Sequence, residues 1–557
     1  MFKEPAQMKF TRFAAAALAA ASPAALAAAA PAPAAALPSD FRQQADALLA
    51  ASYSADGPGA AVIVTRGGRT VYSAGRGLAD VEAGRAITPD TPFRLGSIAK
   101  QFTAAIVLQL VAEGRISLDD PLSRFFPDWP QPGAGATVRQ LLGHSSGLQD
   151  FSKIPGWIGR NRHRSIATAE LVDLMRSLPV RARPGQAWEY NNGGYVMLGA
   201  IVEQVTGKPW HEAVAERISR PLGLRTVSYA APAGSASGYT EEDGRRQPIQ
   251  LSNMSVAHAA GGLHGSVADM ARWARALHGG RVVTAPLYRE MTSPARLADG
   301  TTEPYGFGLR LREIRGRPAF VHGGAGGGLD TDSAYIPSED LFVAVFANSD
   351  APATDPANLV RRLAALALGE PIPVLARADV PLAAVEPLFG AYGPATRFFA
   401  RDGKLYMGRG EVEREAFAAG ADRFFFGPGE LAWFRFERRA DGAHILEMHG
   451  AEAAAPSRAA RTGPVPAAFE VAPEILRTYA GRYQTETVAL VVAVAANGGL
   501  TIAPEGEAPM PMRPVSATEF RIDGTPMRIV FHPENGVVDR FTMHRGAREL
   551  HGRRTDR

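Results

Sequence analysis

At 557 residues, 46% apolar and 21% charged, the chain has an ordinary globular composition and is too long for a single hydrophobic core. Its 60 basic and 56 acidic residues leave a net charge of +4 without a long basic run, which removes the electrostatic basis for nucleic-acid binding. Cysteine is absent, so disulfides and thiolate chemistry are excluded, and the absence is compatible with an oxidising periplasm.

The N-terminus reads as an export signal. Lys9 and Arg12 precede an apolar stretch from Phe13 to Ala21, and Ala25-Leu26-Ala27 offers a small-residue cleavage site, giving a signal peptide over 1–27. Pro23 interrupts the run, which argues against a stable membrane span. Residues 28–38 then form an Ala/Pro tether, and the expected location is periplasmic or secreted.

Ala60 to Thr65 and Thr70 to Ser73 flank Arg66-Gly67-Gly68-Arg69 and predict a β-hairpin. From 97 to 113 the period is helical, with Phe102, Ile106 and Leu110 on one side and Gly114 at the C-cap. Further helices are expected at 168–178, 195–206 and 267–278, strands at 319–322, 333–336 and 341–346, and a closing helix at 357–368. Strands early and late with helices between them predict an α+β domain over 39–370, its two ends sharing one antiparallel sheet.

Residues 371–381 are rich in Pro and Ala and read as a linker. Beyond them lie short alternating strands carrying a weak repeat: Gly390-Ala391-Tyr392 matches Gly481-Arg482-Tyr483, and Phe436, Gly442 and Met448-His449 echo Phe531, Gly536 and Met543-His544. Two copies of a small β-domain follow, over 382–465 and 472–557, each long enough to close into a barrel.

The chemistry gathers in three places. Ser97-Ile98-Ala99-Lys100 puts a hydroxyl and an amine on one helix face, and the helix N-terminus suits a developing oxyanion. Only six of the basic residues are lysine, at 3, 9, 100, 153, 208 and 404. Lysine can surrender its proton when buried and then activate serine, whereas arginine stays protonated. Alone, the spacing also fits a capping serine followed by a surface lysine. Tyr190-Asn191-Asn192 adds a phenol for proton transfer and an amide for holding a carbonyl, and His322-Gly323-Gly324-Ala325 ends a strand with room for a substrate backbone. Histidines 258 and 264 lack the spacing and acidic partner of a metal site, so neither metal nor other cofactor is expected.

Taken together, these motifs resemble those of the penicillin-recognising serine hydrolases: class C β-lactamases, D,D-peptidases, related esterases and D-aminopeptidases. Leu141-Leu-Gly-His-Ser-Ser-Gly-Leu148 and Pro304-Tyr-Gly-Phe-Gly308 support the resemblance, which covers about residues 40–370. The lysine-threonine-glycine of β-lactamases is replaced by His322-Gly323-Gly324, so the chain looks like the D-aminopeptidase and esterase branches, and the D-aminopeptidases also carry two C-terminal β-barrels. The resemblance implies acyl transfer on a small molecule or short peptide, with Ser97 as nucleophile and Lys100 and Tyr190 sharing the proton. Ser97 and Ala325 N–H groups would form the oxyanion hole beside Gly324, Asn192 would orient the substrate amide, and His322 would replace the usual cation near Tyr190.

An aminopeptidase must also hold an ammonium. Glu505 and Glu507, in a Pro-rich loop over 503–514, are candidates if that loop covers the site; Asp150, Asp330 and Asp332 compete with them. An esterase or inefficient β-lactamase of the same family, and a non-catalytic penicillin-binding sensor or scaffold, are the alternatives. The sequence sets no oligomeric state.

Overall fold

The computed structural model describes residues 37–555, apart from positions 243–244, 352–353, 411, 428, 466–468, 487, 524, 526, 535–536 and 546–547. The expected signal, nearly all of the tether and Gly536 of the repeat lie outside the described residues. One antiparallel sheet joins the two ends of the first unit. Its strands are β1 (Ala60–Arg66), β2 (Arg69–Arg76), β3 (Arg310–Ile314), β4 (Arg317–Ala325), β5 (Asp330–Ile336) and β6 (Leu341–Ala347), in the order β3-β4-β5-β6-β1-β2. Ala60 pairs with Ala347 and Arg66 with Leu341, which fixes the first strand against the last.

Every residue of β1 and β6 is buried, because helices cover both faces. Helices α1 (Phe41–Ser52) and α7 (Pro356–Ala367) lay Phe41, Leu49, Leu359 and Leu363 on Val62, Val64, Val343 and Val345. On the other face lie α2 (Ala99–Ala112), α3 (Thr168–Ser177), α4 (Asn192–Thr206), α5 (Met254–Gly261) and α6 (Val267–His278). The sequence pattern gives α2 one apolar side, but Ala99 to Leu108 and Leu110 are all buried. Phe102 stacks on Trp273 of α6 at 4.1 Å, while α4 and α5 pack along the same helix. Short polar side chains such as Thr103 satisfy themselves on carbonyls, here Ala259 O at 2.7 Å, so α2 needs no solvated face.

After 381 the chain forms two closed eight-stranded barrels, from Gly390–Tyr392 to Ser457–Gly463 and from Gly481–Gln484 to Arg548–Arg554. Closure leaves no free sheet edge. The interiors are filled with rings: Phe398, Phe424, Phe434 and Phe436 in the first, Tyr483, Phe520, Phe531 and Phe541 in the second. The repeat has a structural counterpart. Tyr392 and Tyr483 sit in the first strands and donate their hydroxyls to Leu388 O and Tyr479 O, each four residues back. Phe436 and Phe531 occupy the sixth strands, Met448 and Met543 the seventh. Among the described residues no helix is long and apolar enough to cross a membrane.

The segment 371–381 has no regular structure, yet it is anchored. Arg362 of α7, only 6% exposed, donates to Ile372 O at 3.2 Å, Pro373 O at 3.0 Å and Glu430 O at 3.0 Å. Arg315 and Gly316, at the β3–β4 turn, donate their backbone N–H groups to Ala451 O and Glu452 O of the first barrel. Arg513 of the second barrel pairs with Glu413 of the first at 2.6 Å. Arg362→Met is therefore expected to weaken the docking by about 2–3 kcal/mol. Faster proteolytic cleavage within 371–381 and an earlier thermal transition would report it; wild-type cleavage kinetics would contradict the assignment.

Candidate active site

Ser97 lies in a single tight turn, Gly96–Ile98, that feeds α2. Gly96 takes φ +51°, and the end of β4 runs directly over it. A β-carbon on Gly324 would stand 2.1 Å from Leu95 O and 2.7 Å from Ser97 N, and one on Gly96 would stand 3.1 Å from Ala325 N. Only glycine permits this approach. It brings the backbone nitrogens of Ser97 and Ala325 to one place, as two donors for an oxyanion require. Thr331 Oγ1 ties the contact together, 3.1 Å from Leu95 O and 2.9 Å from Gly324 O.

Lys100 is completely buried one helical turn after Ser97. Its Nζ lies 3.0 Å from Ser97 Oγ, 2.9 Å from Asn192 Oδ1 and 2.8 Å from Ala260 O. Burial pulls the ammonium down to about 7; the Asp150 carboxylate opposes this and the Arg310 guanidinium adds to it. In the neutral amine two N–H bonds serve Asn192 and Ala260, and the lone pair is left for the serine proton.

Asn192, the first residue of α4, is committed to this arrangement. Its Nδ2 donates to Ser152 Oγ at 3.0 Å and Asp150 Oδ2 at 3.3 Å, which orients Oδ1 toward Lys100. The side chain thus holds the lysine, a contact beyond the expected one with a substrate amide. Asp150 accepts from Asn192 N and from the Ser152 N–H and hydroxyl, so its oxygens are taken up within the protein.

Tyr190 closes the other side, its ring centroid 4.8 Å from Lys100 Nζ. Burial pushes the phenol up to about 12, with Ser97 and Arg310 pulling it back and Asp150 adding to the rise. Lys153 Nζ donates to Tyr190 O at 2.9 Å and pins the backbone. His322 is near, 6.3 Å ring to ring, but it is no cation. Its Nδ1–H donates to Gly323 O at 2.8 Å and its Nε2 accepts from the Tyr305 hydroxyl at 3.0 Å. Burial, with Arg310 and Lys100 close by, holds it well below the usual histidine range. The positive charge beside Tyr190 belongs instead to Arg310, 5.2 Å from that ring and 5.8 Å from Tyr305. Sequence reasoning missed Arg310, although it stands two residues after the Pro304 to Gly308 stretch.

Of the candidate ammonium partners, Asp150 lies beside Asn192 and acts on Lys100, with its oxygens already engaged, whereas Glu505, Asp330 and Asp332 have other surroundings. Glu505 pairs with Arg482 of its own barrel at 2.7 Å, and residues 505–509 are all exposed, as a loop buried over a site would not be. The expected loop is also shorter, because Met510–Pro514 is a strand. Asp330 and Asp332 alternate with Thr331, which reaches Leu95 O, and share the face of Ala334 and Ile336 beneath α7. Burial and neighbouring carboxylates raise Asp330 to about 8; burial raises Asp332 to about 7.

The Beta-lactamase family model matches residues 5–368. A D-aminopeptidase of Brucella canis is 32% identical over 326 residues, 58% of this chain and 62% of that protein, so the match spans less than two thirds of the relative. The octameric penicillin-binding protein homologue from Pyrococcus abyssi superposes with a TM-score of 0.53 at 25% identity, covering 72% of this chain and 95% of the other. A D-stereospecific amidohydrolase from a Streptomyces species gives 0.50 at 28% identity, over 57% and 97%. The chain belongs to the Beta-lactamase family, within the penicillin-recognising serine hydrolases and near the D-aminopeptidases.

Proposed function

We propose that this protein is an exported serine hydrolase that cleaves amide or ester bonds of D-aminoacyl substrates through an acyl-enzyme on Ser97. The observation that carries the reading is the buried amine of Lys100, 3.0 Å from Ser97 Oγ and held at about 7. Arginine in that place would be no base.

In the proposed cycle neutral Lys100 takes the Ser97 proton as Oγ attacks the carbonyl, and the Ser97 and Ala325 N–H groups receive the oxyanion. Tyr190, a phenol with its proton held up to about 12, donates to the leaving group and regains a proton from the lysine side. Water then repeats the attack on the acyl-enzyme. The D-aminoacyl class draws on the D-aminopeptidase and D-stereospecific amidohydrolase relatives and on the neutral His322-Gly323-Gly324. Export draws on the signal pattern of residues 1–27.

Ser97→Ala is expected to remove about 10⁴-fold or more of kcat/KM on whichever of D-aminoacyl anilides, p-nitrophenyl esters and a cephalosporin reacts fastest. A variant that still turns over would end the assignment, and a wild type inert to all three would favour a non-catalytic scaffold.

The pH dependence has a definite sign. A base must be unprotonated, so kcat/KM should be low in acid, rise through about 7 as Lys100 loses its proton, and stay level until the phenol titrates near 12. Lys100→Arg should be inactive across that range. A rate that falls on going from pH 6 to pH 8 would contradict lysine as the base.

A further inference from the structure

The stretch Leu141 to Leu148 supported the family resemblance but has no part in the cycle above, and its His144 is among the most constrained side chains in the fold. It is 2% exposed and takes φ +62°, a left-handed conformation that is uncommon for histidine. Its carbonyl accepts the Glu189 N–H at 2.9 Å, and its ring Nδ1 accepts the Asn191 N–H at 3.1 Å. These are the residues immediately before and after Tyr190. The ring itself lies 4.4 Å from the Tyr190 ring, 4.5 Å from Tyr305 and 5.1 Å from Tyr195.

We propose that His144 is the positioning residue of Tyr190: it clamps the peptide on either side of that tyrosine and packs its imidazole against the ring. The inference rests on the functional reading above, since it assigns a partner to the proposed acid. A backbone N–H can only donate, so Nδ1 is the unprotonated nitrogen and the remaining ring proton sits on Nε2. Nε2 is buried without a hydrogen-bond partner, inside the cage of tyrosine rings. Burial, with Lys100 and the Arg310 guanidinium close by, keeps the ring neutral, well below the usual histidine range. The left-handed backbone has its use here. It presents carbonyl and side chain of a single residue to two N–H groups two positions apart.

The neighbouring residues extend the same brace. Leu148 O accepts the Asn191 side-chain amide at 2.6 Å, Ser145 O accepts the Gly185 N–H at 2.7 Å, and Gly147 O accepts the Arg181 N–H at 2.8 Å. His144 is the member of this set that touches Tyr190 itself. Asparagine is the informative replacement: its Oδ1 falls where Nδ1 lies, and it tolerates positive φ, but it has no ring. Phenylalanine keeps the ring's bulk and loses the acceptor.

The test compares wild type, His144→Asn and His144→Phe, each with and without Tyr190→Phe, on the substrate that reacts fastest. His144→Phe is expected to lower kcat/KM about 10²-fold and His144→Asn by less than about 5-fold. In the Tyr190→Phe background His144→Phe should cost less than about 3-fold, because a residue that acts through Tyr190 has nothing left to position. Equal losses in both backgrounds, or no rescue by asparagine, would overturn the proposal. Amide hydrogen exchange at Asn191 supplies a readout that needs no turnover. Protection lost in His144→Phe and kept in His144→Asn supports the clamp even if no substrate is cleaved, in which case only the functional reading falls; equal protection in all three proteins overturns the clamp.

Discussion

A primary amine taken wholly out of water organises this site. Charged, it would be costly to bury; neutral, it is a base. The fold accommodates both forms at Lys100 by giving Nζ three polar neighbours from three separate segments: Ser97 from the turn before α2, Asn192 from the start of α4, and Ala260 from the end of α5. Tyr190 and Tyr195 wall off the remaining directions with their rings. Moving any of these segments would leave a buried amine without partners, so the packing of α2 against α4 and α5 is part of the chemistry.

Around that amine the electrostatics are sorted by neutralisation. His144 and His322, groups that take up protons readily in water, are held neutral by burial, with Lys100 and Arg310 beside them. Asp150 is charge-compensating: its oxygens are occupied by Asn192 and Ser152, and its field opposes the downward pull on Lys100. Arg310 stands across the tyrosine rings as a fixed positive charge that favours loss of protons from Lys100 and Tyr190 alike. The first barrel docks at the β3–β4 turn and on α7, whereas Ser97 meets β4 at its opposite end, Gly324 and Ala325.

Much of this was legible in the sequence, for identifiable reasons. The hairpin at 60–76, the late strands and the shared sheet follow from short apolar runs punctuated by glycine, proline and charge, and the barrel repeat from matched Gly-x-Tyr positions. Ser97 and Lys100 stood out because lysine is so scarce here. What stayed hidden were contacts that have no spacing. Nothing local in Asn192 says that both ends of its amide are already engaged. Nothing in His322 says that its two nitrogens are satisfied by a neighbouring carbonyl and a tyrosine seventeen residues away in sequence. The Glu505 loop looked able to reach because a Pro-rich stretch gives no orientation; the hairpin that carries it leaves it in solvent. His144 was visible as a motif member, but its grip on both sides of Tyr190 depends on a backbone angle that sequence does not display.

The scarcity of lysine also makes the central claim directly measurable. With six lysines in the chain, a protein labelled with carbon-13 at lysine Cε gives a spectrum simple enough to follow each amine through a pH titration by NMR. One resonance, missing from Lys100→Arg, is expected to titrate near 7. If the Lys100 resonance stayed unchanged through pH 7, the amine beside Ser97 would be a lasting cation there and the proposed base would not exist.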